Sequence, residues 1–504
     1  MPPVTQAVLL SWSVPPAATL ALVLTALVYL RGWMLLQRVG VPFVPPWRAV
    51  SFLLGLLSVW IALASPLDTF SSFIITAHMV QHMLLMMVAP PLILLGAPLI
   101  PLVRGLPVFA AREFAGPFLN WRVAARVGNA LIHPLLALVL MGVVMFGWHT
   151  PRWYELALAS SSWHEVEHAC FFLVSLVFWW PIIQPWPSRS RWPRWTVVPY
   201  LLVADLQNTV LSAILVFSDR VIYPSYARMP RLFGFSALHD QVAAGAIMWV
   251  MGSLAFVAPA IVIAVQCLQT MPREQHGLPP GKLPSLDALM SLADRLLFGG
   301  RWLRRRLSTR AIEAISFLLI FAVAGLGLAH LASSSSDDDD QVLRLHQQSG
   351  AFALSVFAPA GDLDPGSTDF GVLVLDPRTQ DILLDSTVDL RAQRISSSSW
   401  TKPVRATRDS ENWLLQTASL SLPAAGGWAL EIVVTSGGQQ AQFWLPLRVV
   451  KSEAGFPVPW SYMVLIAFSG LLLFVYVARH LRAQNRGAIK TAAMPESAAK
   501  KLVY

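Results

Sequence analysis

Apolar stretches long enough to cross a lipid bilayer recur along this chain, separated by short segments that carry most of its Lys and Arg. A hydrocarbon layer about 30 Å thick is crossed by about 20 residues of helix. Inside it every backbone N–H and C=O must be bonded within the chain, so only helices or a closed barrel can span. The runs are continuous rather than alternating, which selects helices. Only 13% of the 504 residues are charged, against roughly 25% in soluble domains.

Spans are predicted at 17–36, 49–65, 73–103, 129–148, 164–183, 196–217, 238–266, 311–332 and 460–479. The third is too long for one straight crossing. It holds Pro90-Pro91 and Gly96-Ala97-Pro98, which predicts a kinked or broken helix. The first run follows Met-Pro-Pro with no basic leader, so it reads as a retained span.

A net charge of +9 could suggest nucleic acid. Outside residues 333–459 the positive charges instead sit mostly in segments between apolar runs, the pattern of orientation signals. Arg38 and Arg48, then Arg104 to Arg126, Arg189 to Arg194, Arg301 to Arg310 and Arg482 to Lys501 occupy alternate connections. Nucleic acid is therefore not an expected partner. The N-terminus is expected outside, in the periplasm, and the C-terminus in the cytoplasm.

Residues 333–459 differ in kind. They open on Ser333 to Ser336 and Asp337 to Asp340, a solvated linker. Stretches such as "AFALSVFAP", "WALEIVVTS" and "AQFWLPLRVV" come after it, punctuated by Asp364-Pro365-Gly366, Ala425-Gly426-Gly427 and Gly437-Gly438. Short strands between turn residues predict an antiparallel β-sandwich. The expected fold is an all-α membrane helix bundle, a seven-span core plus two further spans, with an appended periplasmic β-sandwich. Its parts are a seven-span domain at 1–267, a basic cytoplasmic linker at 268–310 with a stretch lying on the membrane surface, an eighth span at 311–332, the sandwich at 333–459, a ninth span at 460–479 and a cytoplasmic tail at 480–504.

Chemistry concentrates in the histidines. Six of the eleven are predicted near outer ends of spans: His78, His82, His149, His164, His168 and His239. "HMVQHM" and "HEVEH" each give an i, i+4 pair, which puts two imidazoles on one helix face about 6 Å apart. That is how one helix offers a metal two nitrogens. A single imidazole at a span end commonly meets headgroups or caps a carbonyl. Two pairs at one depth favour a metal, since ionisable groups inside a membrane are costly.

Met86 follows His78 and His82 at i+8. Thioether with imidazole suits copper, particularly Cu(I), although methionines also fill apolar cores. Asp68 and Asp219 either accept from and orient ligating imidazoles or simply terminate helices, and Asp240 is a further candidate acceptor. Asp205, Gln207 and Asn208 either pair across helices or line a path for ions. Cys170 and Cys267 form no C-x-x-C and read as buried apolar residues.

Two rival readings stand beside copper. His164-Glu165-Val166-Glu167-His168 is an H-E-x-x-H match, in which Glu165 would be the general base of a membrane metalloprotease. A b-type haem could be held by His149 with His239, although matched histidines on the inner side are lacking and the absence of C-x-x-C-H excludes covalent haem. Residues 333–459 hold one histidine, His346, and no Met or Cys. That domain cannot make a soft copper site alone and is expected to dock a partner or shape access.

The stretches "AHMVQHMLLMMVAPPLILLGAPL" (77–99), "GWHTPRWYELAL" (147–158), "WHEVEHACFFLVSLVFWWPI" (163–182), "FSDRVIYPSY" (217–226) and "LHDQVAAGAIMWVMGS" (238–253) together resemble the polytopic CtaG family of cytochrome c oxidase assembly factors. The resemblance covers about residues 15–267. It implies a bacterial inner-membrane protein, not an enzyme, that helps assemble a haem-copper oxidase by delivering copper. An oxidase subunit and periplasmic copper chaperones are then the expected partners. His78, His82, His149, His164, His168, His239 and Asp240 fall within the matching stretches. The sandwich is more distantly similar to FixH and YtkA-like proteins.

Overall fold

The computed structural model describes residues 3–39, 44–107, 122–185, 192–270, 341–359 and 361–450. The predicted eighth and ninth spans, nearly all of the basic linker, and the C-terminal tail lie outside the described residues. The chain divides into two compact units, Met1–Gly105 with Asn129–Glu453 and Leu106–Gly128 with Ala454–Tyr504. The described residues fall almost wholly in the first.

The membrane part of that first unit and its border contains α1 (Pro3–Leu10), α2 (Pro16–Val39), α3 (Pro46–Ala64), α4 (Pro66–Ser71), α5 (Ile75–Met83), α6 (Ala89–Leu95), α7 (Leu99–Gly105), α8 (Arg122–Leu131), α9 (Pro134–Trp148), α10 (Pro151–Ala159), α11 (Ser161–Ile183), α12 (Val197–Phe217), α13 (Pro224–Arg228) and α14 (Ala237–Thr270). Proline opens α3, α4, α9, α10 and α13, where its missing N–H costs nothing and its fixed φ suits the first turn. Six helices among the described residues are long and apolar enough to cross a membrane, or seven if the pair α9 and α10, bent by 69°, is one span. Pro151 makes that bend and leaves His149 in the break.

The third span is interrupted as expected, but ends at Leu95 rather than 103. Between α5 and α6 lies a π-helical segment, Leu84–Val88. Pro90 has no N–H to give the carbonyl of Met86. That carbonyl accepts instead from the indole of Trp179 on α11, at 2.9 Å. The chain then turns at Ala97, which has φ 48°, and restarts as α7.

The intramembrane polar residues pair across helices. Ser253 donates to Asp205 at 2.7 Å and the Asn208 amide to the Met248 carbonyl at 3.2 Å, joining α12 to α14. Of the two readings offered for this stretch, interhelical pairing is the one observed.

The polar region forms two antiparallel sheets, ordered β1-β2-β3-β7-β6 and β5-β4-β8-β9. The strands are β1 (Gln341–Ser349), β2 (Phe352–Pro359), β3 (Gly366–Leu375), β4 (Thr387–Arg394), β5 (Val404–Arg405), β6 (Thr407–Arg408), β7 (Gln416–Leu422), β8 (Gly426–Ser436) and β9 (Gln439–Val449). Gly437 and Gly438 both have positive φ, the requirement of a two-residue hairpin turn. Alternate residues of the two sheets, among them Leu354, Val356, Phe370, Leu390, Ile432 and Phe443, fill one core.

One strand departs from alternation. β2 is buried at every position from Phe352 to Ala358. Its second face, with Phe357, Leu373 and Leu375, packs in one cluster with Ala7, Phe70 and Leu232 of the membrane part. Phe73 meets Phe357 edge-on at 5.3 Å, and the Trp413 amide donates to Ser11 Oγ at 3.0 Å. The five-stranded sheet is thus held between the other sheet and a set of helix ends and loop residues that includes Ala7, Phe70 and Leu232.

A buried histidine cluster as candidate metal centre

α5 carries His78 and His82 on one face. Its first turn has no side-chain cap of its own. Asp240 of α14 supplies one: its carboxylate accepts from the Ile75 amide at 2.8 Å, the Thr76 amide at 3.1 Å and the Thr76 hydroxyl. A carboxylate at a helix N-terminus satisfies orphan N–H groups and complements the helix dipole. Asp68 accepts from Gln81 at 2.7 Å and Ser13 at 3.1 Å. Burial raises its pKa above the ordinary carboxylate value, offset by those two hydrogen bonds. Both aspartates therefore steady the helix that bears the histidines, where the sequence offered contact with imidazoles or, for Asp68, a role at a helix end.

α11 presents a buried stripe of Glu167, His168, Phe171, Val174, Ser175, Phe178, Trp179 and Ile182, with His164 one turn earlier. α5 and α11 bring their histidines together in two rungs. His78 and His164 have ring centroids 5.1 Å apart, and His82 and His168, one turn further along, 5.4 Å apart. His149, from the break after α9, lies 6.5 Å from His82. Glu167 stands between the rungs, with a carboxylate oxygen 3.7 Å from His78 Nε2 and 3.9 Å from His82 Nε2. One ligand atom each from His78, His82, His164 and Glu167 all lie within 4.8 Å of one another.

Both ring nitrogens of His78 and His82 and both carboxylate oxygens of Glu167 are buried without a hydrogen-bond partner. Buried polar groups are normally paired, and each exception needs an explanation. One nitrogen of each neutral imidazole and both oxygens of Glu167 carry lone pairs, and one such atom from each residue converges on a point a cation would satisfy.

The loop between α12 and α14 clasps the cluster. Tyr223 donates to the His149 carbonyl at 3.0 Å and Tyr226 to the Ser71 carbonyl at 2.6 Å. Tyr154 stacks on Tyr223 and lies 5.0 Å from His78. Gln241 accepts from Ile222 N at 2.7 Å and donates to the Leu215 and Arg220 carbonyls. The "FSDRVIYPSY" and "LHDQ" stretches owe much of their composition to these ties.

Not every residue singled out from sequence joins the cluster. His239 is exposed in the first turn of α14, and Asp219 is exposed in the loop. Hydropathy places a residue's depth along a span but not the direction it faces. Met86 is buried, but it lies within the π segment, where the i, i+4, i+8 extrapolation from His78 and His82 no longer holds. It belongs to the apolar core with Trp179. Glu165, the base in the H-E-x-x-H reading, is exposed, while Glu167 is the buried carboxylate beside the histidines. Glu167 was missed from sequence. Its signal was the spacing 164, 167, 168, 171, which puts it on the histidine face, while Glu165 is turned about 100° from His164.

Residues 27–270 match the family model described as cytochrome c oxidase caa3 assembly factor, Caa3_CtaG. An uncharacterized protein of Mycobacterium leprae is 26% identical over 252 residues, 49% of this chain and 37% of its own length. One from Mycobacterium bovis and one from Mycobacterium tuberculosis are each 26% identical over 274 residues, 53% of this chain and 40% of theirs. This chain thus spans about two fifths of the curated relatives it matches. No solved structure matches.

Proposed function

Because residues 27–270 belong to the family of cytochrome c oxidase caa3 assembly factors, we propose that this chain assists assembly of a haem-copper oxidase by holding a copper ion as cargo at His78, His82, His164 and Glu167 and passing it to an oxidase subunit. The observation that supports copper is the convergence of buried imidazole and carboxylate donors at one point, those of His78, His82 and Glu167 without hydrogen-bond partners. Imidazole suits copper, and a carboxylate offsets the charge of a cation that has left water. Transfer needs only ligand exchange. A periplasmic chaperone loads the ion, the cluster keeps it from solvent, and the oxidase subunit takes it. The basic segments between spans support a bacterial inner-membrane location with the N-terminus, the cluster and the sandwich on the periplasmic side. Haem suits this cluster less well, because imidazoles and the Phe171 ring, 4.6 Å from His82, occupy the space a macrocycle needs.

The test is metal analysis with an optical spectrum of the detergent-purified chain, and copper content of the oxidase in cells carrying variants. Copper should bind and be lost on joint replacement of His78 and His82 by Ala, with copper-deficient oxidase in those cells. A Soret band, or copper retained by that double variant, would overturn the reading.

A further inference from the structure

The ligand atoms of the cluster are shut away from solvent. His78 and Glu167 are 0% exposed and His82 1%. His164 shows part of its ring, but its Nε2 is buried with the others. An ion that comes and goes by ligand exchange therefore needs part of the protein to move. Two segments close the cluster at the helix ends. One is the turn from α4 into the first residues of α5, which leads directly into His78. The other is the loop between α12 and α14, whose Tyr223 and Tyr226 hold the His149 and Ser71 carbonyls.

Both segments have a second side, and the sandwich lies against it. Phe73 and Ala77 from the turn, and Met229 and Leu232 from the loop, belong to one apolar cluster with Phe357 and Leu373 of the five-stranded sheet. Phe357 and Leu373 stand apart from the core between the two sheets, to which their strand neighbours Val356 and Val372 contribute. The sheet thus carries a separate apolar face, and that face backs both segments at once. The Trp413 amide adds a hydrogen bond to Ser11 Oγ across the same contact, at 3.0 Å.

We propose that the sandwich is the cover of the copper cluster: docked, it keeps an ion from entering or leaving, and undocked, it lets one pass. This rests on the reading of the cluster as a copper centre. Because one sheet face backs both the turn and the loop, a single undocking frees the two together. A contact between domains of one chain is a usual place for such a motion. Holding copper and handing it over are then two states of the chain, and the partner that takes the ion does so by favouring the undocked one. A cover differs from a support in its kinetics. It lies on the path of the ion and not among its ligands, so lifting it speeds entry and exit by the same factor and leaves affinity unchanged. Loss of a support speeds exit alone and weakens binding.

The full chain in detergent is loaded with Cu(I) under reductant, freed of excess, and mixed with an excess of a Cu(I) chelator whose absorbance reports exit. Entry is timed by mixing the copper-free chain with Cu(I), and affinity comes from equilibrium competition with the same chelator. Phe357→Ser and Leu373→Ser each remove part of the docking face. Amide deuterium exchange checks that β8 stays protected, so that the sandwich is folded, and that 70–77 exchange faster, so that it has undocked. A variant that weakens docking about tenfold should speed entry and exit about tenfold each, with the dissociation constant unchanged. Wild-type rates in an undocked, folded variant would overturn the cover. Faster exit with weaker binding and unaltered entry would also overturn it and make the sandwich a support. No copper on the folded wild type would overturn the copper reading itself, and the cover with it.

Discussion

Asp240 lies next to the exposed His239, yet its carboxylate sits on the first turn of a different helix, three residues before His78. Asp240→Asn tests what that cap contributes. The amide oxygen of Asn can keep the Thr76 contacts, but its NH2 then faces the Ile75 N–H, now bonded at 2.8 Å, donor against donor. A hydrogen bond to a charged group contributes about 1.5–3 kcal/mol. A charge at a partly buried helix N-terminus adds about 0.3–2 kcal/mol. The expected cost is therefore about 2–5 kcal/mol. The assay is thermal unfolding in detergent, followed by tryptophan fluorescence, together with amide deuterium exchange over 74–80. The variant should unfold at lower temperature and exchange faster there, and its copper affinity should fall because the His78 turn frays. A melting curve and exchange pattern equal to wild type would refute the cap. Loss of copper without faster exchange would mean that Asp240 acts on the metal directly.

Trp179→Phe should destabilise the helices by about 1–3 kcal/mol, by leaving the buried Met86 carbonyl without a donor. Pro90→Ala on that background restores an N–H and should recover stability, as read by the same melting curves. Phe357→Ser should speed deuterium exchange at 4–11 and 70–77 while β8 stays protected, and equal loss in β8 would mean that Phe357 supports the sandwich itself. His346 is held below its ordinary value near 6.5, first by burial and then by Arg231. The folded form therefore resists a proton that the unfolded form accepts, so its contribution is intact above pH 6.5 and is lost as pH falls below it. Melting of the wild type should drop between pH 7.5 and 5.5 more than that of His346→Gln, and parallel curves would show that His346 has no part in it.

Continuous apolar runs made the membrane helices legible, and Pro90-Pro91 announced the broken span. The π segment itself was not legible, because it depends on a donor 93 residues away. Gly437-Gly438 announced its hairpin. "AFALSVFAP" was read as one strand of a sandwich, but its lack of strict alternation carried more information: a strand apolar on both faces must be covered on both. The cover is a set of helix ends distant in sequence. The i, i+4 pairs predicted the two rungs, because that spacing is a property of one helix. His239 and Asp219 went astray because nothing local says which way a residue at a span end faces. Glu167 was readable from periodicity, but the zincin-like pattern drew attention to Glu165.

The loop that joins α12 to α14 stitches together ends of helices that would otherwise be free to drift. It does so through main-chain oxygens, with Tyr223 on His149 and Tyr226 on Ser71. A genetic screen for failed respiration should therefore recover these tyrosines alongside the ligands, as substitutions that loosen the cluster without removing a donor. Phenotype alone would enrol them as metal-binding residues. Raising the copper supplied to the culture should separate the two classes, since a loosened cluster refills by mass action and one that has lost its donors does not.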